Sequence, residues 1–504
     1  MCGIAGQFGW RPSTAELRAA VAALAHRGPD GHGIYEHARG ALIHTRLAII
    51  DLSSAGAQPM TDPTTGVTIV LNGEIYNFGE LRRELTERTF RGHSDTEAVL
   101  NLYLTRGVSA FARLRGMFAI AIWDPRDETL HLARDPFGIK PLLLHHDGGV
   151  LRFASEAKAL FALGTPQRLN LPVVRAYLEE GRQNHGPATF FSDVVSLPPG
   201  HRLAWRKGAP EIVAYWTMQP RTQMSGSAAE IENAVWEGFL DSLEHHLIAD
   251  VPVGVSLSSG LDSQLITRGL AELRRRGRSR GAVHTFTFGF DDADYDEISR
   301  VESADFGLPL VRHERRIVPE ECLDGIRRAI RVFEMPLGGL GTLGSFFLME
   351  QARAQGITVL LSGEGSDETF GGYRYYHYAR LRELSDAGDR DALAHELDGW
   401  AAVSGEVLVP GTPGFSDKVF PIAKAMQAPD GTSLMEGAFL GARLQSVKPA
   451  PRYAAPSGFG PLRASMIEDL VADKLPKLLG FQDRASMAHG VETRVPFQIG
   501  RAHV

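Results

Sequence analysis

Val253-Gly254-Val255-Ser256-Leu257-Ser258-Ser259-Gly260-Leu261-Asp262-Ser263 decides how the second half of this chain reads. The run 253–257 is short and apolar, as a buried strand is, and small hydroxyl residues with one glycine then lead into an amphipathic helix over 263–275. Backbone N–H groups at such a helix start can hold a phosphate. The alternation extends to both sides. A helix over 229–247 precedes the stretch; strand 283–288, helix 295–306, strand 310–313, helices 320–332 and 344–355, and strand 358–362 follow it. Strand and helix in turn predict a parallel sheet covered by helices, an α/β domain.

Leu360-Leu361-Ser362-Gly363-Glu364-Gly365-Ser366-Asp367-Glu368-Thr369-Phe370-Gly371-Gly372-Tyr373 again follows a strand directly. Three acids among glycines suit ligand or metal work better than packing. Upstream the text differs: strand candidates include 41–50, 67–71, 117–123, 129–133 and 151–154, with only brief helical stretches, for instance over 14–24 and 94–105. That half predicts an α+β domain of two packed sheets with outer helices. Residues 207–228, rich in Pro, Gly, Gln, Thr and Ser without an apolar period, read as a linker between domains 2–206 and 229–497.

A chain of 504 residues with 43% apolar content is too long for one small module. Its 53 basic and 60 acidic residues give a net charge of −7, and no global electrostatic case for a nucleic-acid or membrane-surface partner. The basic group Arg274, Arg275, Arg276, Arg278 and Arg280 has no interleaved aromatics and reads as a solvated helix end. The longest apolar runs fall far short of the roughly 20 residues that span a bilayer, and the start lacks an export signal, so the expected location is cytoplasmic. Two cysteines exclude a disulfide framework and a cysteine-based zinc site. Cys322 lies in an apolar helical pattern and reads as core. Removing Met1 would make Cys2 the first residue, with a thiol and an α-amine able to accept its proton; otherwise Cys2 is a small packed residue.

His26-Arg27-Gly28-Pro29-Asp30-Gly31, Arg46-Leu47-Ala48-Ile49-Ile50-Asp51, Asn72-Gly73-Glu74-Ile75-Tyr76-Asn77, Ser94-Asp95-Thr96-Glu97 and Arg134-Asp135-Pro136-Phe137-Gly138-Ile139-Lys140-Pro141 follow Cys2 in that order. Taken singly they have plain uses: Arg46 an ion pair, Asn72-Gly73 a hairpin turn, Asp95 a helix cap. Together the sequence resembles the class II glutamine amidotransferases, and within them the glutamine-hydrolysing asparagine synthetases, over residues 2–497. The resemblance implies an N-terminal nucleophile (Ntn) hydrolase αββα sandwich followed by a Rossmann-like ATP-pyrophosphatase domain. It implies that Cys2 attacks the side-chain amide of glutamine, with the Asn72 amide and Gly73 N–H holding the oxyanion. The implied glutamine site is Arg46, Leu47, Ala48, Ile49, Ile50, Asn72, Gly73, Glu74 and Asp95, with Arg46 toward the α-carboxylate and Asp95 toward the α-ammonium group. Residues 26–30 read as a loop closing over it.

In the second half the resemblance is to the pyrophosphate loop Ser-Gly-Gly-x-Asp-Ser, with Ser259 in place of the first glycine; if that position needs positive φ, serine strains the loop. The implied ATP site comprises Leu257, Ser258, Gly260, Asp262, Ser263, Phe288, Ser362 and Gly363, with Leu257 and Phe288 by the adenine. Glu364 is implied in forming and using the acyl-adenylate, and Asp262 and Asp367 in holding Mg²⁺. The implied partners are glutamine, aspartate and ATP, with homodimers common in the family. Alternatives are a paralogue that amidates another carboxylate, a glutaminase-only fragment, and a non-catalytic interaction protein, the last disfavoured by the presence of Cys2, Asn72 and Asp95 together.

Asp483-Arg484-Ala485-Ser486-Met487-Ala488-His489-Gly490-Val491-Glu492-Thr493-Arg494-Val495-Pro496-Phe497 is a further signature of that family, which normally continues beyond it. The expectation is that 498–504 is a non-native tail, its last six residues being readable as translated sequencing adapter, and that the 229–497 domain is incomplete, lacking the family's adenylation lysine. A genuine stop codon after Val504 in genomic DNA contradicts it.

Overall fold

Alternating apolar residues in the first half pair into two antiparallel sheets. The computed structural model describes residues 2–183, 186–218, 224–292, 296–419, 440–451 and 459–498. The strands are β1 (Gly3–Phe8), β2 (Gly31–His37), β3 (Gly40–Arg46), β4 (Met60–Thr61), β5 (Thr68–Ile75), β6 (Gly116–Asp124), β7 (Thr129–Arg134), β8 (Leu143–Asp147), β9 (Val150–Ala154), β10 (Val195–Ser196), β11 (His201–Arg206) and β12 (Ala209–Ala214). One sheet has the order β10-β8-β9-β1-β3-β2, the other β12-β11-β7-β6-β5-β4. Their inner faces meet: Ile4, Phe8 and Phe153 of the first sheet share a core with Val70, Trp123 and Trp205 of the second. On the outer faces, helices α1 (Thr14–Leu24), α2 (Phe78–Glu84), α3 (Asp95–Arg106) and α4 (Ala157–Ala162) complete the layers. α1 and α4 pack on the first sheet through Leu17, Leu24 and Leu160, and α2 and α3 on the second through Leu81, Val99 and Leu102. The expected αββα layering is present.

After α5 (Leu171–Glu180) and α6 (Ala228–His246), β13 (Val253–Ser256), α7 (Leu261–Arg275), β14 (Val283–Phe290), α8 (Glu297–Glu302), β15 (Leu310–Ile317), α9 (Pro319–Phe333), α10 (Leu340–Ala354) and β16 (Val359–Leu361) alternate. They form a parallel sheet of order β15-β14-β13-β16-β17, closed by β17 (Glu492–Arg494). The order of winding reverses between β13 and β16, and loops at the carboxyl ends of two such strands frame a crevice. Among the described residues, helices α11 (Ser366–Phe370), α12 (Arg374–Ala387), α13 (Arg390–Ser404), α14 (Pro413–Val419), α15 (Ala442–Gln445), α16 (Pro461–Val471) and α17 (Lys474–Met487) lie between β16 and β17.

Packing divides the chain into two units. Residues 1–170, 187–363 and 478–504 hold all three sheets; residues 171–186 and 364–477 form a helical unit whose core is Leu381, Trp400, Leu408, Phe415 and Val419.

Several expectations need correction. β12 lies inside the stretch expected as a linker; it is an edge strand with both faces largely exposed, so its letters lack an apolar period. The helix expected over 295–306 is only Glu297–Glu302, and residue 295 lies outside the described residues. The strand expected over 41–50 stops at Arg46, where the chain turns through Asp51 at φ 56°. Of the tail expected over 498–504, only Gln498 is among the described residues; it is fully buried, and neither polar atom of its side-chain amide has a hydrogen-bond partner. No helix among the described residues is long and apolar enough to cross a membrane.

Candidate active site

Cys2 stands just before β1, under the loop that follows β3. Its thiol approaches the Leu47 carbonyl oxygen at 3.8 Å, and its N–H donates to Asn72 Oδ1 at 3.0 Å. Burial pushes the thiol above its ordinary pKa. Asn72-Gly73 is no hairpin turn. Both residues lie inside β5, opposite Ala119 and Phe118 of β6. Because Oδ1 of Asn72 faces the Cys2 N–H, its Nδ2 is left buried with no hydrogen-bond partner, a donor on the residue that touches Cys2 with nothing to donate to. Gly73 has φ 142°, and a Cβ there would sit 1.9 Å from the Met117 carbonyl oxygen, so only glycine lets β5 run this close to β6.

Asp95 does not cap α3; Ser94 does, accepting from Glu97 N–H. The Asp95 carboxylate instead accepts from the Ile75 and Thr96 N–H groups at 2.9 and 2.7 Å. Burial lifts its pKa to about 6 in spite of those two bonds. Burial, and then the carboxylates of Glu492 and Asp95, push Glu74 well above the usual carboxylate range against the pull of Arg494. Arg46 is anchored by the carbonyl oxygens of Asp51 and Ser53 at 2.5 and 3.0 Å. Asp30 accepts from Ala48 N–H at 2.8 Å and so ties residues 26–30 to the loop carrying Leu47, Ala48, Ile49 and Ile50. Leu47 and Ile49 point their side chains into a core with Val359, which leaves their backbone to line a site. Cys2, Asn72, Gly73, Glu74 and Asp95 thus converge from both sheets and the start of α3, with the 46–50 loop over them.

The second candidate site lies at the crevice between β13 and β16. Ser258 N–H donates to Ser263 Oγ at 2.9 Å, Ser259 N–H to the Glu297 carboxylate at 2.6 Å and Gly260 N–H to Ser258 Oγ at 3.2 Å. Successive backbone amides of this turn thus find oxygen acceptors within the chain, one of them a carboxylate. Ser259 is not strained, since positive φ among the described non-glycine residues is confined to Asp51, Glu128, Lys207 and Glu334. Gly363, in the loop after β16, packs so tightly that a Cβ would come 2.8 Å from Asp262 Cβ, which brings the Ser362–Gly363 and Asp262–Ser263 turns together. Leu257 buries its side chain with Val301 and Phe306, and Phe288 lays its ring against Gly344. Glu364 and Asp367 belong to the helical unit, where Gly365 at φ 87° starts α11.

Residues 1–216 match a family model described as a glutamine amidotransferase domain, and residues 234–498, more than half of the chain, match one described as asparagine synthase. The chain belongs to the asparagine synthase family. It is 32% identical over 388 residues to asparagine synthetase [glutamine-hydrolyzing] 1 of Bacillus subtilis, covering 75% of this chain and 59% of that one. It is 34% identical over 386 residues to amidase chry2 of Gibberella zeae, covering 73% and 57%. Against asparagine synthetase B [glutamine-hydrolyzing] of Escherichia coli the identity is 33% over 415 residues, covering 78% and 69%. The chain thus spans under three fifths of the length of the first two of these relatives.

The asparagine synthase segment also contributes residues to the first site that carried no role in the sequence reading. Arg494, fully buried on β17, donates through Nε to Glu492 at 2.6 Å and through Nη1 to the carbonyls of His246 and Ile248, while Nη2 lies 3.8 Å from Glu74. Burial would raise the Glu492 carboxyl, but the positive charges around it, Arg494 and Lys140 among them, hold it below the usual carboxylate range. The signal was present in the signature 483–497, but Glu-Thr-Arg in a three-residue strand has no apolar letters to mark it as buried.

Proposed function

We propose that this chain is a glutamine-dependent asparagine synthetase. With Met1 removed, the α-amine of Cys2 takes the thiol proton, and the sulfur attacks the side-chain amide carbon of glutamine. Asn72 Nδ2 and the Gly73 N–H stabilise the oxyanion; ammonia leaves with a proton, and water converts the thioester to glutamate. Asp95 pairs with the substrate α-ammonium group, assisted by Glu74, and Arg46 with its α-carboxylate. The observation that carries this reading is the buried, unpartnered Nδ2 of Asn72 beside Cys2.

In the second site, Ser258, Gly260, Ser263, Ser362 and Gly363 hold ATP in a Rossmann-like ATP-pyrophosphatase domain, with Leu257 and Phe288 toward the base. The aspartate β-carboxylate attacks the α-phosphate to give β-aspartyl-AMP and pyrophosphate, Glu364 assisting, and ammonia displaces AMP to yield asparagine. Mg²⁺ would neutralise the phosphate charge, and the carboxylates of Asp262 and Asp367 offer the hard oxygen donors that suit it. Among the described residues no three His, Cys, Asp or Glu side chains converge as a cation site. We assign the glutaminase to residues 2–206 and the synthetase to 229–497, in the cytoplasm.

A second reading is that the same chemistry amidates a carboxylate other than that of aspartate; the 34% identity to a relative named amidase chry2 shows only that similar sequences carry another name. One assay separates the two: glutamine, ATP and Mg²⁺ with and without aspartate. Asparagine, AMP and pyrophosphate that appear only with aspartate support the first reading. Glutamate release with no aspartate-dependent AMP contradicts the first.

A further inference from the structure

Arg27 is fully buried. Its Nε donates to the Cys2 carbonyl oxygen at 3.1 Å and Nη1 to Glu156 at 2.7 Å. Asp483 takes the rest of the fork bidentately, from Nη1 at 2.8 Å and Nη2 at 3.1 Å. The roles given to Cys2 above use its sulfur and its nitrogen. Both atoms change protonation during turnover, although the nitrogen keeps an N–H toward Asn72 Oδ1 throughout. The carbonyl oxygen is the backbone handle that stays chemically constant, and Arg27 holds it.

A guanidinium is planar, so two bonds to one carboxylate fix both its position and its plane. Glu156 is a poor candidate for that task, since it is shared with His26 at 3.0 Å and Lys158 at 2.6 Å. Asp483 is committed to Arg27 through both oxygens. It lies on α17, within the asparagine synthase segment and 456 residues from Arg27 in sequence.

We propose that Asp483 is a positioning residue for the Cys2 nucleophile, acting through the Arg27 guanidinium. The proposal rests on the reading of Cys2 as nucleophile. A carboxylate of one family segment thereby sets the aim of the sulfur in the other, and an error of about 1 Å in such an aim can cost on the order of 10²-fold in rate.

The test uses the full chain and follows glutamate release from glutamine. Asp483→Asn is expected to lower kcat by roughly 10- to 100-fold with KM for glutamine within about twofold. It should slow alkylation of Cys2 by a diazoketone analogue of glutamine in parallel, and Asp483→Glu should restore part of both. A salt bridge with a purely structural role would lower the melting temperature and leave kcat and alkylation of the folded fraction unchanged; that result overturns the proposal. Should Asp483→Asn fail to fold, Arg27→Lys retains the charge toward both acids and removes the planar Nε donor. The same loss of kcat at constant KM is then expected, and an unchanged kcat overturns the proposal. A wild-type chain that releases no glutamate refutes the nucleophile reading and takes this proposal with it, whereas an active wild type with equally active variants refutes the proposal alone.

Discussion

At the scale of single residues, the account depends on a few buried polar atoms. Asn72 Nδ2 is held in reserve by the bond its Oδ1 makes to Cys2. Asn72→Ala should therefore lower kcat for glutamine hydrolysis by about 10²–10³-fold, with a smaller change in KM, as steady-state kinetics will show. Asp95 titrates near pH 6 instead of its ordinary 3.8. Its folded-state pKa is raised, so folding takes up a proton between those values and stability falls as pH rises through that window. Binding an α-ammonium group needs the ionised form, so KM for glutamine should rise several-fold as pH is lowered from 7.5 to 5.5 (about tenfold per unit well below the pKa). Asp95→Asn should abolish that dependence and also flatten the acid limb of the stability profile. Gln498 buries an amide with no partner, so Gln498→Leu should raise stability by about 1–3 kcal/mol in chemical denaturation.

At the scale of elements, β5 carries the strictest local demand. Gly73→Ala places a methyl group 1.9 Å from the Met117 carbonyl at φ 142°, and is expected to cost about 3 kcal/mol and to displace the oxyanion donors. A denaturation midpoint matching the parent's would contradict this. Elements with a strong apolar period, such as β6, β13 and α7, were legible in the sequence because burial on one or both faces imposes the period. β12 was not, because an exposed edge imposes none. β17 was not either, since Glu492 and Arg494 compensate each other's burial by ion pairing, and no hydropathy pattern reports that. Cys2, Asn72 and Asp95 could be named from their motifs. That Asp95 is braced by Ile75 while Ser94 caps the helix required coordinates, because both uses begin from the same letters.

At the scale of the whole molecule, the proposal places two sites of different chemistry on one chain, and the three sheets that carry Cys2 and the 258–263 loop belong to one packing unit. Mg²⁺ and ATP at a hundred times the dissociation constant should stabilise the protein by about 2.7 kcal/mol, read as a rise in melting temperature. Asp262→Asn should remove most of that rise while glutamine hydrolysis stays intact. The central claim remains that Cys2, freed of Met1, hydrolyses glutamine. It is tested most directly by measuring glutamate release from glutamine by the purified chain and by Cys2→Ala, with the intact mass of each recorded. The account predicts a mass lacking Met1 and a loss of roughly 10⁴-fold or more on substitution. Equal rates from the two proteins would contradict it.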